Sequence, residues 1–107
     1  MGAWDYGAFD NDDASDFWYV MRTSKNPLKD LEKALRNTGS GHENERRAAA
    51  AFVEFLLRFD RRSLQKLKRL AISSLKELKA DENFTYDWKD SAALKRELNK
   101  EIRRLSK

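Results

Sequence analysis

Leu94, Leu98, Ile102 and Leu105 follow one another at spacings of four, four and three residues. That interval lines side chains along one face of an α-helix, and it predicts a helix from about Ser91 onward. The same rhythm occurs upstream. Leu64, Leu67, Ala71, Leu75 and Leu78 predict a buried stripe on a helix over about Arg61 to Lys79, with Asp60 as its cap and as the break before it. In "ENERRAAAAFVEFLLRF", Ala48, Phe52, Phe55 or Leu56, and Phe59 stand at helical intervals behind an acidic first turn. The four consecutive alanines predict close approach of a neighbouring helix, because small side chains let backbones come together.

Asn26 followed by Pro27 marks another helix start. Asn caps free N–H groups, and Pro in the first turn loses no useful donor. The helix it opens places Leu28, Leu31 and Leu35 on one stripe and ends near "NTGSG", the clearest loop in the chain. A first helix from about Asp12 to Thr23 directs Phe17, Val20 and Met21 inward, with Ala14 near its start. "ADENFTYDWKD" is an aromatic turn with a short helical piece, in which Phe84 and Trp88 plug the bundle end. No segment alternates as a strand would, and no repeat is visible. The expectation is an all-α fold without a β-sheet: one domain over residues 1–107, a compact bundle of five to six helices, with residues 1–11 as an aromatic and acidic anchor segment.

Composition narrows the chemistry. Six Phe, three Trp and three Tyr in 107 residues are too many aromatics for a disordered chain. The absence of Cys removes disulfides, thiolate zinc sites and cysteine nucleophiles, and fits a reducing compartment. No apolar run approaches the ~18 residues of a membrane span, and the acidic opening is unlike a signal peptide, so a cytoplasmic protein of bacterial type without membrane association is expected. His42 is the only histidine and falls in the "GSGHEN" loop, where a solvated side chain is the ordinary outcome. An EF-hand loop begun at Asp10 fails, because Ser15 and Met21 stand where Gly and Glu are required. A glycosidase carboxylate pair needs a deep sugar cleft, which a small helical bundle is poorly placed to build. The expectation is therefore no enzyme, no cofactor, no metal and no small-molecule substrate.

At the opening, Met1, Gly2, Trp4, Gly7, Phe9, Asn11, Asp12, Ala14, Asp16 and Phe17 stand in a distinctive order. It resembles that of a small bacterial family of unknown function, whose members begin M-G-x-W-G-x-G-x-F-x-N-D-x-A-x-D followed by an aromatic. Asp5 departs from it, occupying a position where the family usually has Gly. "RRAAAAFVEFLL" is similar to the family's alanine-rich helix, and "DENFTYDWKDSAALKRELNKEIRRL" to its acidic-aromatic turn and terminal helix. The resemblance implies a compact helical fold of bacterial or phage origin and brings no activity with it.

The formal charge of +4 conceals an asymmetry. Asp5, Asp10, Asp12, Asp13 and Asp16 give residues 1–21 a charge of −5 with no Lys or Arg, leaving +9 for the rest. Asp10 or Asn11 is expected to cap the first helix, and Asp12 and Asp13 to sit against the positive end of its dipole, each worth ~0.3–1 kcal/mol. Capping needs one such residue, and the surplus suits a surface that attracts a basic partner. Trp4, Phe9 and Phe17 read as anchors. Three large residues in succession cannot share one helix face, so at least one of Trp18 and Tyr19 is expected outside, as an interface aromatic beside the acids. The leading expectation is a non-catalytic protein-binding module, an inhibitor, immunity or antitoxin-type protein. Asp5, Asp12, Asp13, Asp16, Trp18, Tyr19 and Asp87 would meet the partner, a toxin or nuclease among the candidates. The alternative is a nucleic-acid accessory protein. Arg58, Arg62, Lys66 and Arg69, at spacings of four, four and three, would share one face of a continuous helix and follow phosphates.

Overall fold

The computed structural model describes residues 12–39, 41–86 and 91–107. Among these residues six helices follow in chain order: α1 (Asp12–Thr23), α2 (Pro27–Arg36), α3 (Glu43–Leu56), α4 (Gln65–Ala80), α5 (Glu82–Tyr86) and α6 (Ser91–Ser106). No strand occurs among the described residues. The all-α reading holds, with six helices at the upper end of the expected number.

Helix α3 is the centre of the packing, touching α1, α2, α4 and α6. Its alanines explain how. Ala48, Ala49 and Ala50 are buried, and Val53 and Leu57 continue the inward stripe beyond them. A helix met on several sides needs short side chains there, because interaxial distances of about 8–10 Å are set by what stands at the contact. Leu64, Leu67, Ala71, Leu75 and Leu78 are all buried. They face Leu94, Leu98 and Leu105 of α6, in one core that also holds Ala14, Phe17, Met21, Leu31, Leu35 and Phe84. The Ser74 hydroxyl donates to the Leu35 carbonyl at 2.9 Å, tying α4 to the last turn of α2.

Local signals behave as their chemistry requires. Asn26 Oδ1 accepts from the Lys29 N–H at 3.3 Å, with Pro27 opening the helix. Gly41 takes φ of 89° in the loop before α3, a conformation that L side chains rarely adopt. Asp60 breaks the chain after α3 and accepts from the Ser63 N–H at 3.2 Å.

Several expectations are corrected. Val20 and Leu28 are exposed. Helix α1 rests chiefly on α3, so only the narrow stripe Ala14, Phe17 and Met21 is covered. The buried stripe of α2 begins at Leu31, one turn after Leu28. Phe55 and Phe59 are 52% and 74% exposed. They continue the side of α3 that α1 covers at Phe52, and they lie past the end of that cover. Helix α4 starts at Gln65 rather than near Arg61, because turns occupy residues 57–59 and 61–64.

Candidate functional site

Helix α1 carries the described part of the expected acidic-aromatic surface. Asp16 is exposed. Trp18 and Tyr19 are 51% and 60% exposed, so neither joins Phe17 in the core. Successive helical residues point about 100° apart, and Phe17 takes the inward direction. Trp18 lies flat on Phe52, ring centroids 5.4 Å apart and planes at 18°, while Phe17 meets the same ring edge-on at 5.8 Å. Tyr19 turns elsewhere and receives the Arg22 guanidinium over its ring at 5.6 Å. Asp12 and Asp13 fall in the first turn of α1. Asp5, Asp87, Trp4, Phe9, Trp88 and the cap candidates Asp10 and Asn11 lie outside the described residues.

Between α1 and α3 opens a groove of about 440 Å³, lined by Ser15, Trp18, Ala51, Phe52 and Phe55. The Ser15 hydroxyl and the Trp18 indole N–H are the side-chain polar groups of these five residues. At the groove's end Phe55 packs edge-on against Phe59 at 5.3 Å. The sequence places Phe52, Phe55 or Leu56, and Phe59 on one helical stripe and does not reveal this surface; of the two alternatives Leu56 packs against the core and Phe55 is exposed. The missed signal is the apolar character of α3 on two sides, with Val53 and Leu57 on one and Phe52, Phe55 and Phe59 on the other. The first stripe enters the core, while on the second α1 covers Phe52 and leaves Phe55 and Phe59 exposed.

The expected basic row is not assembled. Arg58 and Arg62 stand in the turns between α3 and α4, and only Lys66 and Arg69 belong to α4. The spacing of four, four and three aligns side chains only along an unbroken helix, and Asp60 interrupts it. Lys66 is engaged by Glu32 at 3.2 Å, which Arg36 also reaches at 3.1 Å. The Lys66 and Arg36 hydrogen bonds hold the Glu32 carboxyl below its ordinary value of 4.5.

Two arginines at the head of the alanine run were not recognised as interior residues. Arg47 is fully buried and grips Glu101 with two hydrogen bonds, Nη2–Oε2 at 2.6 Å and Nε–Oε1 at 3.1 Å. Arg46, also buried, reaches Glu77 at 2.9 Å. A signal existed for Glu101, which falls between Leu98 and Leu105 at spacings of three and four on the apolar stripe of α6. His42 stands at the N-cap position of α3 without a side-chain capping bond, its Nδ1 3.3 Å from Glu45 Oε2. Among the described residues no group of three or more His, Cys, Asp or Glu side chains is placed to hold a metal ion. No described helix is long and apolar enough to cross a membrane.

These features define a small all-α bundle with an aromatic face left open on its first and third helices. Over residues 2–57 the chain matches the model of a domain of unknown function, DUF4259, and it belongs to that family. The matched segment contains α1, α2 and α3, and with them every residue named as lining the aromatic groove. No curated protein and no solved structure matches the chain.

Proposed function

We propose that this protein is a non-catalytic binding module of the inhibitor, immunity or antitoxin type, which blocks a basic partner protein through the acidic and aromatic face of α1 and α3. The observation that carries this reading is the groove itself, with Trp18 and Phe55 half-exposed at its walls and Asp16 exposed on the same helix as Trp18. Aromatics are enriched and dominant where proteins meet. An acidic surround speeds association with a basic partner and discriminates against acidic ones. A nuclease toxin, whose active cleft accepts phosphates, has the charge that a cluster of aspartates would fill.

Affinity capture from the source cell, with the wild-type chain and with Asp12→Lys/Asp16→Lys and Trp18→Ala variants as baits, tests the reading. The expected result is a basic protein retained by the wild type and lost by both variants while circular dichroism shows all three folded. Equal retention by folded variants, or retention of no basic protein, rejects it.

A further inference from the structure

Helices α4 and α6 run antiparallel, joined through α5 at one end. At the other end the Arg61 guanidinium donates to the Lys107 carbonyl at 2.7 Å. Together they carry ten Lys and Arg residues against three acids, Glu77, Glu97 and Glu101. Each acid is committed. Arg46 and Arg47 of α3 draw Glu77 and Glu101 toward that helix, and Glu97 pairs with Lys100 at 3.3 Å. On the other side of the α4–α6 seam the described residues that line the surface groove include no carboxylate. This groove of about 380 Å³ is lined by Lys76, Lys79, Ala80, Lys95, Asn99 and Ile102. No acid is paired with any of its three lysines among the described residues. Lys68 continues the row along α4, eight residues before Lys76, its ammonium 3.5 Å from the Lys107 carbonyl. At 1.5 Å of rise per residue the row from Lys68 to Lys79 extends about 16 Å.

We infer that this groove binds a single strand of nucleic acid by its phosphodiester backbone. Lysine is depleted where proteins recognise proteins, while aromatics and Arg are enriched there, and this groove offers lysine with neither. Exposed ammoniums are hydrated point charges and hold one phosphate weakly. A row of them gains affinity from a repeating anion through release of its counterions. Packed helices stand about 8–10 Å apart between their axes, so the groove between α4 and α6 takes one strand, and a duplex would rest on its rim. No aromatic stands among its lining residues to stack a base, so recognition is sequence-neutral. It is carried by charge, with the Asn99 amide and the Ile102 side chain beneath the strand. The site lies outside the residues that match the family model and is independent of the aromatic groove.

Fluorescence anisotropy with a labelled mixed-sequence 20-nucleotide strand tests this in 50 mM and 200 mM salt. Four phosphate contacts on a single strand predict a logarithmic salt slope of about −2.8, hence an affinity loss of about 50-fold over that range. Lys76→Gln/Lys79→Gln/Lys95→Gln is expected to weaken binding at least tenfold at low salt and to flatten the slope toward about −0.7. The parallel variant Arg58→Gln/Arg62→Gln/Lys66→Gln should stay within about twofold, and a duplex of the same sequence, too wide to enter between packed helices, should bind more weakly than the strand despite its higher charge density. The inference is overturned by absence of binding at 50 mM salt, by equal losses in the two triple variants, or by a duplex that binds as tightly. Should the first variant lose its helical circular dichroism, Lys79→Gln/Lys95→Gln serves in its place, with at least a threefold loss expected and none overturning the inference.

Discussion

Arg47 and Glu101, 54 positions apart in the chain, form a two-pronged ion pair inside the bundle, the arginine fully buried and the carboxylate nearly so. Two parallel hydrogen bonds make this among the stronger polar contacts a protein forms, and they join α3 to α6. Removing one partner strands the other charge away from water, at a cost of about 3–5 kcal/mol. Glu101→Ala is therefore expected to lower unfolding free energy by that amount in urea titrations. Arg47→Met/Glu101→Leu, which removes both charges and restores apolar volume, should recover most of the loss. A double variant as unstable as the sum of the singles would contradict this account.

The alanine run separates packing from surface. Ala49 is fully buried where helices close on α3, and Ala51 lines the open groove. Ala49→Leu forces extra volume into a filled interior and is expected to cost about 1–3 kcal/mol. Ala51→Leu fills the groove instead, with a stability change within about 0.5 kcal/mol and weakened capture of the partner. Thermal unfolding of the two variants, read beside the capture assay, distinguishes the roles.

Helix starts differ in how they are capped. Asn26 bonds the Lys29 N–H, whereas His42 makes no side-chain capping bond. Asn26→Ala is expected to cost about 1 kcal/mol and His42→Ala much less, as urea midpoints of the two variants would show.

Two carboxyls set a response to acid. Asp60 is held below its ordinary value of 3.8 by hydrogen bonds from the Ser63 side chain and N–H, and Glu32 below 4.5 by Lys66 and Arg36. A carboxyl with a lowered folded-state value binds fewer protons folded than unfolded, so it contributes stability above its unfolded value. That contribution declines below about pH 4.5 for Glu32 and 3.8 for Asp60, and is lost as pH falls through the folded values. Carboxyl NMR titration should place Glu32 below 4.5 in the wild type, and Lys66→Met should move it upward. An unmoved midpoint would remove Lys66 as the cause. Asp60→Asn should lower the melting temperature at pH 7, and the difference from the wild type should shrink below pH 3.8 and vanish as pH falls through the folded value of Asp60.

The placement of the helices was legible wherever apolar residues recur at three and four. The stripes of α4 and α6 are buried as their spacing requires, and Asn26–Pro27 opens α2 where expected. Periodicity identifies an apolar side of a helix without stating whether a neighbour covers it. For that reason Val20, Leu28 and Phe59 fall on expected apolar stripes yet stand outside, and of the alternatives Phe55 and Leu56 it is Phe55 that is exposed. The candidate site was legible by half. Two adjacent aromatics after Phe17 could not both be buried, so an exposed aromatic on α1 followed from helix geometry. That Trp18 meets Phe52 across a groove did not, because the two are on different helices.

The sequence by itself determined an all-α chain, the helix starts with capping chemistry, and the segregation of acid before Arg22 from base after it. These rest on intervals of a few residues, which local sterics and local hydrogen bonds decide. Only the tertiary structure decided which apolar stripe is covered, that Arg46 and Arg47 lie inside, and that the cations collect along α4 and α6 instead of on a row through Arg58 and Arg62. Those outcomes depend on how far each helix extends over its neighbour and on which charges are brought within reach. A break at Asp60 and two buried arginines were enough to redistribute them.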